Sequence, residues 1–255
     1  MKVDILHGND KSVKGVILLP GIVFTSHIVY NKYNEFFKHK YKVIVYLDYD
    51  PTDCSKENLL ESLKQIFEAY GDIKFDMIAL SFGSFLIFKL IEGSQEWIWE
   101  YAPKYIREYI FLGVIYKPEF FKSKLFRSAI KYSRRINSIF GAGTFNLVSK
   151  WAAMYMAKHM FKPDPKYENI GDYKINVTEL ANKLQYLAIN HKKLQTERCN
   201  IPAIFMYWDK EYTDFKYIDR LCELFRKSTA YYVHGIHGRT NESFRNIKYL
   251  LENYT

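Results

Sequence analysis

Residues 76–90, DMIALSFGSFLIFKL, constrain this chain more than any other stretch. The apolar run from Met77 to Leu80 has strand length and lacks the alternation of a half-exposed strand. It is cut by Ser81-Phe82-Gly83, and a second apolar run with helical spacing follows at once. The pattern predicts a strand, a sharp turn and a helix from Gly83 to Ile91, with a serine at the bend. A serine so placed is lifted to the end of a sheet with its hydroxyl presented, and the turn forces a strained backbone angle on it. Small neighbours are then required: Gly83 lets strand and helix approach closely, and Ala79 is nearly as small.

The remaining apolar runs give the sheet. Val3 to Leu6 is a first short strand, and Gly15 to Leu19 (GVILL) is a continuous run of the kind expected for a strand buried on both faces. It stops at the breaker pair Pro20-Gly21. Tyr41 to Leu47, Tyr109 to Tyr116, Ala203 to Trp208 and Ala230 to Val233 read as further strands. Between them, Asn31 to His39, Ser55 to Tyr70, Asp214 to Lys227 and Ser243 to Asn253 read as helices. Ser55 to Tyr70 carries Leu59, Leu63, Ile66 and Phe67 on one face. Alternation of this kind predicts right-handed crossovers and a mostly parallel sheet. The pair Asp48 and Asp50, next to Pro51, brings no third ligand with it and reads as a turn rather than a metal site.

Residues 117–199 break the rhythm, with no strand before Asn200. Helical stretches run from Phe120 to Asn137, Leu147 to His159 and Val177 to Thr196, separated by Gly141-Ala142-Gly143 and Pro163-Asp164-Pro165. The first has Phe121, Leu125, Ala129, Tyr132 and Ile136 on one face, with Lys122, Lys124, Arg127, Lys131, Arg134 and Arg135 around the rest. Such a helix is either a covering element with a solvated outer face or a contact for an anionic membrane or acidic partner.

With Ala79-Leu80-Ser81-Phe82-Gly83, the bend resembles the nucleophile elbow of the α/β-hydrolase superfamily, whose usual form is G-x-S-x-G. The resemblance covers nearly the whole chain. It implies one domain: an α/β core over 1–116 and 200–255, and a helical cap over 117–199 inserted after the sixth strand of the family's sheet. It implies Ser81 as nucleophile, and the backbone N–H groups of Ile22 and Phe82 as oxyanion hole. The triad acid is expected in the loop after the strand at Ala203–Trp208. Aligned on Ile201-Pro202, Trp208 stands where a glycine is usual and Glu211 takes the acid's place, with Asp209 and Asp214 as rivals. The histidine is expected after the last strand, in His234-Gly235-Ile236-His237-Gly238, where His237 fits best.

The resemblance implies acyl transfer on a carboxylic ester or thioester, of a small molecule or an acyl chain, by a serine esterase, lipase or thioesterase. No cofactor and no metal are implied. A transferase using the same acyl-enzyme, and a non-catalytic relative that binds through the basic cap helix, remain alternatives.

The formal charge of +9 reads as a Lys-rich solvated surface, with no nucleic-acid partner expected. At 48% apolar and 18% aromatic residues, disorder is excluded. Residues 1–11 lack an apolar stretch of signal length, no run of about 18 apolar residues occurs, and the expectation is a soluble cytoplasmic protein. Cys54, Cys199 and Cys222 have neither metal-ligand nor redox spacing and read as buried thiols.

Overall fold

The computed structural model describes residues 1–23, 25–50, 53–115, 128, 132, 147, 149–155, 176–190, 199–209, 217–234 and 241–254. Among the described residues, seven strands form one sheet: β1 (Lys2–His7), β2 (Lys14–Leu19), β3 (Val43–Asp48), β4 (Lys74–Leu80), β5 (Ile106–Leu112), β6 (Ala203–Trp208) and β7 (Ser228–Val233). Their spatial order is β1-β3-β2-β4-β5-β6-β7. Only the β1–β3 pair is antiparallel. The helices are α1 (Ser26–Tyr30), α2 (Asn34–Lys40), α3 (Lys56–Ala69), α4 (Phe82–Gly93), α5 (Ala102–Tyr105), α6 (Val177–Asn190), α7 (Ile218–Cys222) and α8 (Asn241–Tyr254), with a further helical segment at 149–155.

Strand side chains alternate between two cores, one on each face of the sheet. Ile17, Leu19, Val45, Met77, Ala79 and Phe111 face α3, α4, α6 and α7. Val16, Leu18, Ile44, Ile78 and Leu112 face α1, α2 and α8, where Tyr30, Phe37, Ile247 and Leu251 close the layer. Burial on both faces is why these strands read as unbroken apolar runs. Helix α4 is buried from Phe82 to Ile91, as expected of a helix packed between the sheet and further helices. Ser55 caps α3 by accepting from the Asn58 N–H at 3.2 Å.

The chain leaves β2 for β3 on one side and then returns to place β4 on the other side of β2. That reversal is a topological switch point, where ligands of open α/β sheets bind beyond the carboxyl ends of the strands. Leu19 of β2 is opposite Ala79 of β4, so Pro20-Gly21 and Ser81 leave the sheet side by side.

Two expected elements differ. The strand expected to run to Tyr116 ends at Leu112, because Gly113 takes a positive φ of 58°; Val114 and Ile115 are buried but no longer paired. Within the stretch expected as one helix from Asp214 to Lys227, the described residues form only the short α7, followed by a turn. The segment expected as a cap, residues 117–199, lies between β5 and β6; of it, α6, 149–155 and a few single residues are described.

The far end of the sheet holds a buried ion network. Asp76 accepts from Arg107 through Nε and Nη2, each at 2.5 Å, and from the Tyr41 hydroxyl at 2.9 Å. Glu108 beside it is less well served: its buried Oε2 has no hydrogen bond and lies 3.8 Å from Arg107 Nη2. Burial raises the Glu108 carboxyl above its ordinary value, and Arg107 only partly opposes this. A raised folded-state value means that the protonated form is favoured by folding. Its contribution is complete below the unfolded value and is lost as pH rises through the folded one. Glu108→Gln therefore raises the melting temperature at pH 7 to 8. The gain disappears below about pH 4, and a thermal-denaturation series across pH measures it.

Candidate active site

Ser81 follows β4 and caps α4. With φ 54° and ψ −107°, it is the only non-glycine among the described residues to hold a positive φ. Such a conformation costs about 1–3 kcal/mol and persists only where the surroundings enforce it. Here they do so from several directions. The Ser81 N–H donates to the Leu112 carbonyl at 2.9 Å, and the Ser81 carbonyl accepts from the Ser84 N–H at 3.1 Å and from the Ser84 hydroxyl. Ser84 Oγ also accepts from the Ile115 N–H at 3.3 Å, tying the bend to the end of β5.

Gly83 shows why the bend needs a small residue. A Cβ there would stand 2.8 Å from Leu19 Cβ and 3.0 Å from both the Pro20 carbonyl oxygen and the Tyr49 hydroxyl. Helix α4 can start under the end of β2 only without that atom. Gly21, for its part, brings the loop after β2 against the serine: a Cβ on it would lie 3.5 Å from Ser81 Cβ. The Phe82 N–H belongs to the first turn of α4, whose amides have no partner within the helix and carry the positive end of its dipole. The loop bearing Ile22 and the turn bearing Phe82 thus flank the serine, which is 3% exposed.

Side chains hold that loop from outside. The Tyr30 hydroxyl donates to the Leu19 carbonyl at 2.9 Å, Tyr49 to Pro20 at 2.6 Å, and Lys183 Nζ to Ile22 at 3.1 Å. Tyr49 packs edge-on against Phe82 with ring centroids 5.3 Å apart. Asp48, the last residue of β3, accepts from the Ser26 N–H at 2.5 Å, which is a structural role.

Further along the same carboxyl edge of the sheet, Asp209 and His234 come together. The Asp209 carboxylate lies 3.0 Å from His234 Nδ1, and the Asp209 N–H donates to the Val233 carbonyl at 3.0 Å. Asn246 of α8 donates to the His234 carbonyl at 2.9 Å. These bonds fix where the loop after β7 begins. The His234 side chain is 84% exposed, and among the described residues nothing hydrogen-bonds Ser81 Oγ. His237, Glu211 and Asp214 lie outside the described residues, as does the basic helix from Phe120 to Asn137 apart from residues 128 and 132.

Cys54, Cys199 and Cys222 are free thiols. Burial pushes the Cys54 and Cys199 thiols up to about 11, and Cys222 is also raised by burial. Among the described residues no group of three or more His, Cys, Asp or Glu could hold a metal ion. No helix among them is long and apolar enough to cross a membrane.

Sequence reasoning missed Tyr49 and Lys183. The signal for Lys183 was present: it shares the inward stripe of α6 with Leu180, Leu184 and Leu187, an unusual place for a cation.

No protein-family model matches the chain, and no curated protein sequence matches it. Solved structures do. A thermophilic esterase from Thermogutta terrifontis superposes with a TM-score of 0.67 at 11% identity, covering 99% of this chain and 92% of that one. MenH from S. aureus gives 0.61 at 12% identity over 99% of both chains. An epoxide hydrolase from Bacillus megaterium gives 0.62 at 14% identity over 98% and 95%. Others that match include a protein described as an alpha/beta hydrolase enzyme from a deep-sea metagenome library. With the sheet order, the strand-to-helix bend and these likenesses together, the chain has the α/β-hydrolase fold.

Proposed function

We propose that the chain is a serine hydrolase that cleaves a carboxylic ester or thioester through an acyl-enzyme on Ser81. The observation that carries this reading is the strained Ser81 backbone at the switch point, with Gly21 packed against it and the first turn of α4 beside it. A bend this costly, held by several separate hydrogen bonds, is explained by a need to present the serine side chain.

In this reading His237 takes the Ser81 proton as Oγ attacks the carbonyl carbon, and Glu211 holds the imidazole and steadies its charged form. Negative charge gathers on the carbonyl oxygen, where the Ile22 and Phe82 N–H groups lower the barrier by about 3–4 kcal/mol each. The imidazolium protonates the leaving alkoxide or thiolate. Water, deprotonated by the same imidazole, then releases the acid and frees the serine.

We favour His237 over His234 as the base. Strand β7 lies three strands from β4, about 14 Å at the usual spacing, and the His234 ring points into solvent beside Asp209. His237 follows three residues later in the sequence, and three residues reach up to about 10 Å. Asp209, engaged with His234, is the weaker candidate for the acid.

Turnover of p-nitrophenyl acetate and butyrate by the purified chain tests the reading. Hydrolysis well above the buffer rate supports it, and a rate equal to buffer across both esters contradicts it.

A second reading, binding to an anionic membrane, is favoured by one observation. Leu147, Trp151, Met154 and Tyr155 recur at helical spacing and are all exposed, with Trp151 62% accessible and Lys150 exposed beside it. Aromatic and basic residues on an exposed helix suit a lipid interface. Sedimentation with phosphatidylserine-rich vesicles should weaken on Trp151→Ala and at high salt, and survive Ser81→Ala. Equal recovery with and without vesicles contradicts it.

A further inference from the structure

Lys183 is a cation where none is expected. It is 1% exposed, paired with Glu179 one turn earlier on α6, and set 4.7 Å from the centroid of the Tyr49 ring. Burial lowers its pKa, and Glu179 is the main opposing influence. A buried ammonium is expensive to keep, and a hydrophobic residue of similar size would often serve stability as well. What a hydrophobic side chain could not do here is donate a hydrogen bond.

Lys183 Nζ donates to the Ile22 carbonyl at 3.1 Å, while the Tyr49 hydroxyl donates to the Pro20 carbonyl at 2.6 Å. Those carbonyls belong to the Pro20–Gly21 and Ile22–Val23 peptide units. Between them lies the Gly21–Ile22 unit, which carries the Ile22 N–H. Because each peptide is planar and trans, fixing both neighbours leaves a concerted flip as the only way for the middle unit to turn. Lys183 also sits over the ring of the tyrosine that holds the other side, so the two anchors form one assembly.

We propose that Lys183 is a positioning residue through which the inserted segment between β5 and β6 holds the Ile22 N–H in place as an oxyanion donor, an inference that rests on the serine-hydrolase reading above. The lysine touches no reacting atom in this role. It acts through the Ile22 peptide, coupling α6 to the loop after β2. A shift of α6 as substrate enters under the cap would therefore be felt at the oxyanion donor.

The test uses the full chain with both Lys183→Met and Glu179→Gln, so that the charge is removed without stranding a carboxylate. Two measurements are made: hydrogen exchange of the backbone, and steady-state kinetics on p-nitrophenyl butyrate. The expected result is faster exchange confined to residues 20–26, with β3 and α3 unchanged. With it, kcat falls at least about tenfold, less than the 10²–10³ of deleting a donor outright, and KM stays within about twofold. Affinity for a trifluoromethyl ketone, which forms a tetrahedral oxyanion on the serine, should fall in step with kcat. Unchanged exchange at residues 20–26 overturns the proposal, as does faster exchange there with kcat unaltered. Exchange that rises evenly across the chain assigns the pair to stability alone and also overturns it. Should the wild-type chain turn over no ester, the serine-hydrolase reading fails; the exchange measurement still decides whether Lys183 holds the loop.

Discussion

Ser81→Ala lowers turnover of p-nitrophenyl butyrate by about 10⁴-fold or more, with KM little changed. The magnitude follows from the nucleophile's removal: an alanine offers no atom to form the acyl-enzyme, so only binding and oxyanion stabilisation remain. The fold should survive the change. Oγ makes no hydrogen bond to a described residue, and the contacts that hold the bend use the Ser81 backbone N–H and carbonyl together with the Ser84 side chain. The melting temperature should therefore change little, and a far-ultraviolet circular dichroism melt recorded with the kinetics checks it. Loss of activity with an intact melt assigns the serine to chemistry. Equal turnover by the two proteins removes it from the mechanism.

His237→Ala is expected to lower kcat by about 10³–10⁴-fold, while His234→Ala lowers it by no more than about fivefold. The contrast derives from position along one loop. His234 directly follows β7, bonded through Nδ1 to a half-exposed aspartate; an exposed pair of this kind contributes at most about 1 kcal/mol. Its substitution loosens the start of the loop without removing the base. His237 stands three residues further along the sequence, a reach of up to about 10 Å toward Ser81. Kinetics on the two single variants, under one set of conditions, separate them. The reverse order would make Asp209 and His234 the catalytic pair and require the loop to close from its exposed position.

The strands, their order along the chain and the serine bend were legible because both sheet faces are covered, so buried strands leave continuous apolar runs ended by Gly and Pro. The same signal misplaced the end of β5. Val114 and Ile115 are as apolar and nearly as buried as the residues before them, and only the positive φ at Gly113 separates them from the strand. An apolar run reports burial and does not report pairing. The proximity of Gly21 to Ser81 follows from the reversal of strand order, which no local pattern encodes, although the breaker after β2 marked the place. The pairing of Asp209 with His234 was not foreseen, since it joins two strand ends 25 residues apart. The role of Tyr49 was hidden inside a segment that reads as an ordinary turn. Lys183 could have been found as the one basic residue on the apolar stripe of α6, but its partner, the Ile22 carbonyl, lies 161 residues away.

The central claim is that the hydroxyl of Ser81 is an activated nucleophile. Treating the native chain with a fluorophosphonate probe and mapping the modified residue by peptide mass spectrometry tests it directly. The expected result is a single labelled site at Ser81, lost when the chain is unfolded before treatment. Absence of label on the folded chain, or label on another residue, would contradict it.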